Sequence, residues 1–159
     1  FERGPEALLD ARVLRTIVGG HASPVNLHTD TIKAMIVKST YTPDRDHVFV
    51  DAITGGSHEL SGTGYAAGFG ASGRKTIATT SFSKVDASDL VKWIGDNITW
   101  AAINAGTGRY VAIIREVTND ADSLLLAIHD LNPTAGILFN GQDWVFACPS
   151  TGFLKWTSP

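Results

Sequence analysis

From Thr31 onward the chain is a succession of short runs rich in valine, isoleucine, threonine and aromatic residues, interrupted by glycine, proline, asparagine and aspartate. That texture restricts the chain to an all-β domain, because β-branched and aromatic side chains suit a pleated surface and the interruptions supply turns. The runs are TIKAMIVKS (31–39), DHVFVDAI (46–53), GYAAGFG (64–70), KTIATTSFSKV (75–85), NITWAAI (97–103), RYVAIIREV (109–117), SLLLAIHDL (123–131), GILFN (136–140), WVFAC (144–148) and FLKW (153–156). They predict roughly nine or ten strands, mainly β, in an antiparallel β-sandwich over residues 31–159. Between them, DASDLVKWIG suggests a short turn of helix.

Residues 1–30 have a different pattern. Leu8, Ala11, Leu14 (or Arg15) and Val18 fall three to four apart, Pro5 suits a first helical turn, and Gly19-Gly20 stops the pattern. HASPVNLHTD comes next as a loop. The expectation is an N-terminal helix on an extended arm over 1–30, ahead of the sandwich.

The 159 residues suffice for one domain with a sizeable core. With 43% hydrophobic and 18% charged residues, disorder is not expected. A net charge of -3, with no cluster of Lys and Arg, argues against a nucleic-acid partner. No apolar run approaches a membrane span, and the N-terminal FERGPEALLDARVLRT is charged where a signal peptide would be apolar. The lone Cys148 cannot form an internal disulfide, which fits synthesis in a reducing cytoplasm.

GFGASGRKT (68–76) matches the dinucleotide fingerprint G-x-G-x-x-G at Gly68, Gly70 and Gly73. A phosphate-binding glycine loop needs a buried strand before it and a helix after it. Here SGTGYAA precedes and the alternating, β-branched KTIATTSFSKV succeeds it, so the expectation is a hairpin whose glycines supply positive φ, with no cofactor. His47 and His58, beside Asp46 and Glu59, suggest a sheet metal site only weakly and read better as exposed strand ends. The carboxylates of YTPDRD (Asp44, Asp46), VDASD (Asp86, Asp89) and TNDAD (Asp120, Asp122) read as turn formers rather than a glycosidase pair. Trp93, Trp100, Trp144 and Trp156 read as core or interface anchors ahead of a sugar platform. Neither catalytic nor metal-binding residues are assigned, and the chain is not read as an enzyme.

Several segments in order, TDTIKAMIVKSTYTPDRDHVFVDAI, HELSGTGYAAG, DASDLVKWIGDNITWAAI, GRYVAIIREV and LLLAIHDL, cover about residues 29 to 131. Together they resemble a family of small structural proteins of tailed-bacteriophage virions. The resemblance implies decoration (cement), head-fibre or tail-associated roles and brings no catalytic residues. Within it, Thr29-Asp30-Thr31 opens the first strand, and Glu59 to Tyr65 forms a turn that lays Tyr65 on the sheet. Trp100 and the pair Arg109 and Tyr110 fall on adjacent strands, where a guanidinium stacks on an aromatic face. The chain departs from the pattern by inserting ARVLRTIVGGHASPVNLH after Leu-Leu-Asp at 8–10, and by reading AAGFGASG where a Gly-Gly succeeds the tyrosine turn.

The resemblance implies a decoration protein on the capsid exterior of a virion, made in the host bacterial cytoplasm and bound to the major capsid protein. Self-association is expected from the symmetry of the shell, a trimer fitting its local threefold positions. Leu8, Leu14, Ile17 and Val18 of the arm, with Trp144, Phe146, Phe153 and Trp156 of WVFACPSTGFLKW, are the candidate interface residues, since these apolar residues exceed what a small sandwich needs inside. The alternatives are a tail, neck or fibre-associated virion protein and a carbohydrate-binding β-sandwich module.

Overall fold

IKAMIVK, VAIIR and LLLAI are apolar at consecutive rather than alternate positions, which suits strands covered on both faces. The computed structural model describes residues 25–44, 46–85 and 90–157. The expected arm helix, with Leu8, Leu14, Ile17 and Val18, lies outside the described residues. The described chain is mainly β. It contains β1 (Ile32–Lys38), a single-turn helix α1 (Asp51–Thr54), β2 (Lys75–Thr76), β3 (Ser81–Val85), β4 (Leu90–Ile94) and β5 (Ile98–Ile103). Next come β6 (Gly106–Arg115), β7 (Leu124–Asp130), β8 (Ile137–Phe139), β9 (Gln142–Phe146) and β10 (Leu154–Thr157).

All pairings between these strands are antiparallel. The central sheet runs β2-β1-β6-β7, with β8 joined to the start of the long β6; β10-β4-β3 and β5-β9 form two smaller sheets. Side chains alternate across the central sheet. On one face Ile32, Ala34 and Ile36 of β1 and Val111 and Ile113 of β6 pack with Trp93, Ile98, Trp100, Phe146, Phe153 and Leu154 from the smaller sheets and their connections. On the other, Met35, Val37, Tyr110, Ala112 and Ile114 pack with Tyr41, Val50 and Ile53.

Four expectations are corrected. DHVFVDAI is not a strand: only Phe49 bridges Leu124, and the rest turns into α1, because Val50 and Ile53, three apart, both reach the second cluster and both are fully buried. GYAAGFG contributes a single Gly62–Tyr65 bridge and no strand. KTIATTSFSKV divides into β2 and β3, in different sheets. DASDLVKWIG ends in β4, the middle strand of its sheet, since alternation places Trp93 in the core.

β5 shows how a strand keeps its inward face through an irregularity. Its register against β9 shifts between Trp100 and Ile103, where Ala102 takes a φ of 45°. The bulge inserts an extra exposed residue, so Trp100 and Ile103 both point inward. The Ala102 N–H, lost to the ladder, donates to Asp143 Oδ1 at 2.8 Å.

Candidate functional site

Among the described residues the densest polar chemistry lies at one edge of the central sheet, around Arg74. The segment carrying Glu59 runs beside the end of β1, with Lys38 N–H donating to His58 O and Leu60 N–H to Ile36 O. This aims the Glu59 carboxylate inward. Arg74 grips it with two bonds, Nε to Oε1 at 3.0 Å and Nη2 to Oε2 at 2.8 Å. Its remaining N–H groups reach Asp120 at 2.6 and 3.0 Å and Glu116 at 3.2 Å. All five donors of the planar fork are therefore engaged. Lys33 pairs with the other oxygen of Glu116.

The Arg74 side chain is fully buried. Burial alone would lower its pKa, but hydrogen bonds and charge from Glu59 and Asp120 more than reverse that and raise it. Asp120 shows the mirror image: burial favours its neutral form, and the stronger pull of Arg74, helped by Thr54, lowers its pKa. The phenol of Tyr65 is raised well above its ordinary value by burial first and the Glu59 charge second. It stays protonated, accepting from Ile36 N–H at 2.9 Å and donating to Glu59 Oε1 at 3.3 Å. Tyr65 thus lies back on the sheet.

The glycine loop is tied to the same cluster. Gly68 and Gly70 adopt φ of 105° and 70°, as expected of a tight connection. Gly73 is required for a different reason: a Cβ there would stand 2.4 Å from Ala66 O and 2.6 Å from the Tyr65 ring. Its carbonyl accepts the Trp100 indole N–H at 2.6 Å. The Gly68 N–H, the type of donor a phosphate loop would present outward, donates instead to Glu59 Oε2 at 3.0 Å. Arg74 leads directly into β2, not into a helix. The loop is a structural lock joining Glu59, Tyr65, Arg74 and Trp100.

An open cleft of about 290 Å³ adjoins the lock, lined by Lys38, Thr54, Ser57, Glu59, Ser61 and Gly68. Its two charged groups are committed, Lys38 Nζ to Ser57 O at 2.9 Å and Glu59 to Arg74. His47 and His58 turn to Tyr41 and Thr40. His47 Nδ1 bonds the Tyr41 hydroxyl at 2.8 Å, His58 Nδ1 bonds Thr40 Oγ1 at 3.0 Å, and both rings flank Tyr41 at 5.6 Å. Among the described residues no group of three or more His, Cys, Asp or Glu is placed to hold a metal. Asp44 serves its turn by accepting the Asp46 N–H at 2.9 Å. In TNDAD it is Asn119 that makes the turn, accepting the Asp122 N–H. Asp120 is left for Arg74, and its redundancy in the turn is the one sequence signal that would have marked it. Asp86 and Asp89 lie outside the described residues.

Of the C-terminal candidates, Phe146 and Phe153 are core residues of this chain. Trp144 is half-buried, stacked on Trp100 at 5.3 Å and edge-on to Phe139 at 5.1 Å. Trp156 is half-buried beside the exposed Phe82, ring centroids 6.0 Å apart. Trp100 does not meet Arg109: β5 pairs with β9 rather than β6, and the Arg109 guanidinium lies over its own neighbour Tyr110 at 5.0 Å. Among the described residues the large apolar side chains most open to solvent are Leu138, Phe82 and Val145, at 67%, 56% and 49%.

No family model matches this chain, and no curated protein or solved structure matches it.

Proposed function

We propose that this chain is a structural protein of a tailed-bacteriophage virion, a decoration protein that binds the outer surface of the major capsid protein and stabilises the head. On this reading β10-β4-β3 and β5-β9 form the second layer of a sandwich over the central sheet. The observation that carries the proposal is where the resembling segments fall. TDTIKAMIV supplies β1, HELSGTGY the Glu59–Tyr65 turn, ITWAAI β5, GRYVAIIR β6 and LLLAIHD β7. They supply four strands of the framework and the Glu59 and Tyr65 side of the lock, so the resemblance falls on elements that build the fold. A second support is how the polar side chains are used: Glu59, Arg74, Glu116 and Asp120 saturate one another, which suits a protein that works by adhesion.

Adhesion needs surface. Leu138 on β8 and Val145 on β9 offer exposed apolar side chains for a capsid contact. A stable interface buries roughly 1,200–2,000 Å² in total, and its free energy adds to what shell rupture must overcome. Repetition over symmetric sites, with the chain itself oligomeric, multiplies the effect. The test is to add purified protein to heads that lack it. Saturable co-sedimentation and a higher head-rupture temperature are expected; no binding at micromolar protein would overturn the proposal.

A further inference from the structure

Of the six asparagines in the chain, Asn140 alone precedes a glycine. The pair matters because the carboxamide of an asparagine is open to attack by the backbone nitrogen of the next residue, and glycine, with no Cβ, hinders that approach least. The structure separates the six further. The carboxamides of Asn26, Asn97, Asn119 and Asn132 are held, accepting the backbone N–H groups of His28, Cys148, Asp122 and Thr134. Asn104 is exposed but precedes Ala105, whose side chain stands in the way. Asn140 is exposed, and its carboxamide makes no hydrogen bond among the described residues. Gly141 takes a φ of 95°, and nothing beyond its chain neighbours stands within 4 Å of where a Cβ would lie. The pair therefore combines an untethered carboxamide, an unhindered neighbour and open space for water.

The attacking atom, by contrast, is restrained. Gly141 N–H donates to Ile103 O at 2.8 Å, where β5 ends against β9. Ile103 is fully buried, so the accepting carbonyl is anchored to the core. One residue earlier the β5 bulge is pinned from β9, Asp143 accepting the Ala102 N–H at 2.8 Å. While these bonds stand, the Gly141 nitrogen keeps its proton and its place in the turn. Attack waits for a local opening, which in a connection so exposed costs far less than global unfolding.

We propose that Asn140 is a site of spontaneous conversion to aspartate and isoaspartate, gated by the Gly141–Ile103 hydrogen bond. Once the turn opens, the Gly141 nitrogen gives its proton to solvent base and bonds to Cγ of Asn140. The Cγ–Nδ2 bond breaks, and the nitrogen takes up a proton from water and leaves as ammonia. Water then opens the succinimide ring at either carbonyl, giving aspartate or isoaspartate. Both products add a negative charge to the turn that joins β8 to β9, and isoaspartate also lengthens the main chain there by one methylene. In sequence the turn lies between Leu138 and Val145, so the conversion changes the segment that carries these exposed apolar side chains. The proposal is independent of the virion reading, since it is tested on the protein alone in solution.

Peptide mass spectrometry of the full chain, aged in warm, mildly alkaline buffer, tests it. The readout is the mass gain from exchanging –NH2 for –OH at Asn140, with the isoaspartyl peptide separated by chromatography. Three samples are compared: the folded chain, the chain unfolded in guanidinium chloride, and folded Asp143→Ala, an exposed position whose loss frees the Ala102 N–H and loosens the bulge. Conversion at Asn140 should exceed that at Asn104 in every sample and should be roughly tenfold or more slower in the folded chain than in the unfolded one. Asp143→Ala should fall between the two, and Asn140→Gln should abolish the product. Equal rates in folded and unfolded chain, or an unchanged rate in Asp143→Ala, would overturn the gate. Absence of isoaspartate at Asn140 from the unfolded chain would overturn the site itself.

Discussion

Arg74 is a buried cation surrounded by three carboxylates, and that arrangement fixes what its loss would do. Arg74→Met leaves Glu59, Glu116 and Asp120 facing one another without their shared cation, Lys33 pairing Glu116 alone among them. Breaking a buried pair from one side costs about 3–5 kcal/mol, so the denaturant midpoint should fall steeply with little change in slope. Acid acts on the same group from the other side. Because the folded pKa of Asp120 lies below its unfolded value, its contribution is complete above the ordinary carboxyl range. It is lost as pH falls below about 4 toward that depressed value. Stability measured from pH 6 to 3 should therefore decline at the acid end, and Asp120→Asn should flatten the decline. Trp100→Phe keeps an aromatic side chain but loses the indole N–H that donates to Gly73 O, and should cost at least about 1–3 kcal/mol.

At the scale of elements, the central sheet and the β10-β4-β3 sheet differ in protection. β1, β6 and β7 are packed from both faces, whereas β3 is an edge strand with Phe82 open to solvent. Native-state hydrogen exchange should find the slowest amides in β1 and β6 and markedly faster ones in β3. The strands legible in the sequence are those whose apolar content has one meaning. IKAMIVK, VAIIR and LLLAIHD admit no exposed alternative, so composition alone predicts them. DHVFVDAI misleads because Val50 and Ile53 satisfy a helical spacing as well as a β-rich composition, and the second cluster selects the former. DLVKWIG misleads in the opposite sense, its turn-forming aspartates masking the alternation that puts Trp93 inside.

For the whole molecule, the lock is nearly invisible in the sequence because it is assembled from distant segments. Arg74 meets partners 15, 42 and 46 positions away, and no local pattern joins residues so separated. The glycines are legible as a turn, but what the turn holds is visible only with Tyr65, Gly73 and Trp100 in contact. The apolar C-terminal stretch is legible as apolar and not as inside or outside; Phe146 and Phe153 take the core, leaving Leu138 and Val145 open. In this chain the buried polar groups are engaged with one another inside the fold, and on the proposed function the surface does the work. If the chain is a virion protein as proposed, quantitative mass spectrometry of purified particles of the phage that would encode it is the most direct test of that function. Copies on the order of hundreds per particle, set by the symmetry of the shell, are predicted. About a dozen copies would move the chain to the neck or tail, and absence from intact particles would contradict a virion role altogether.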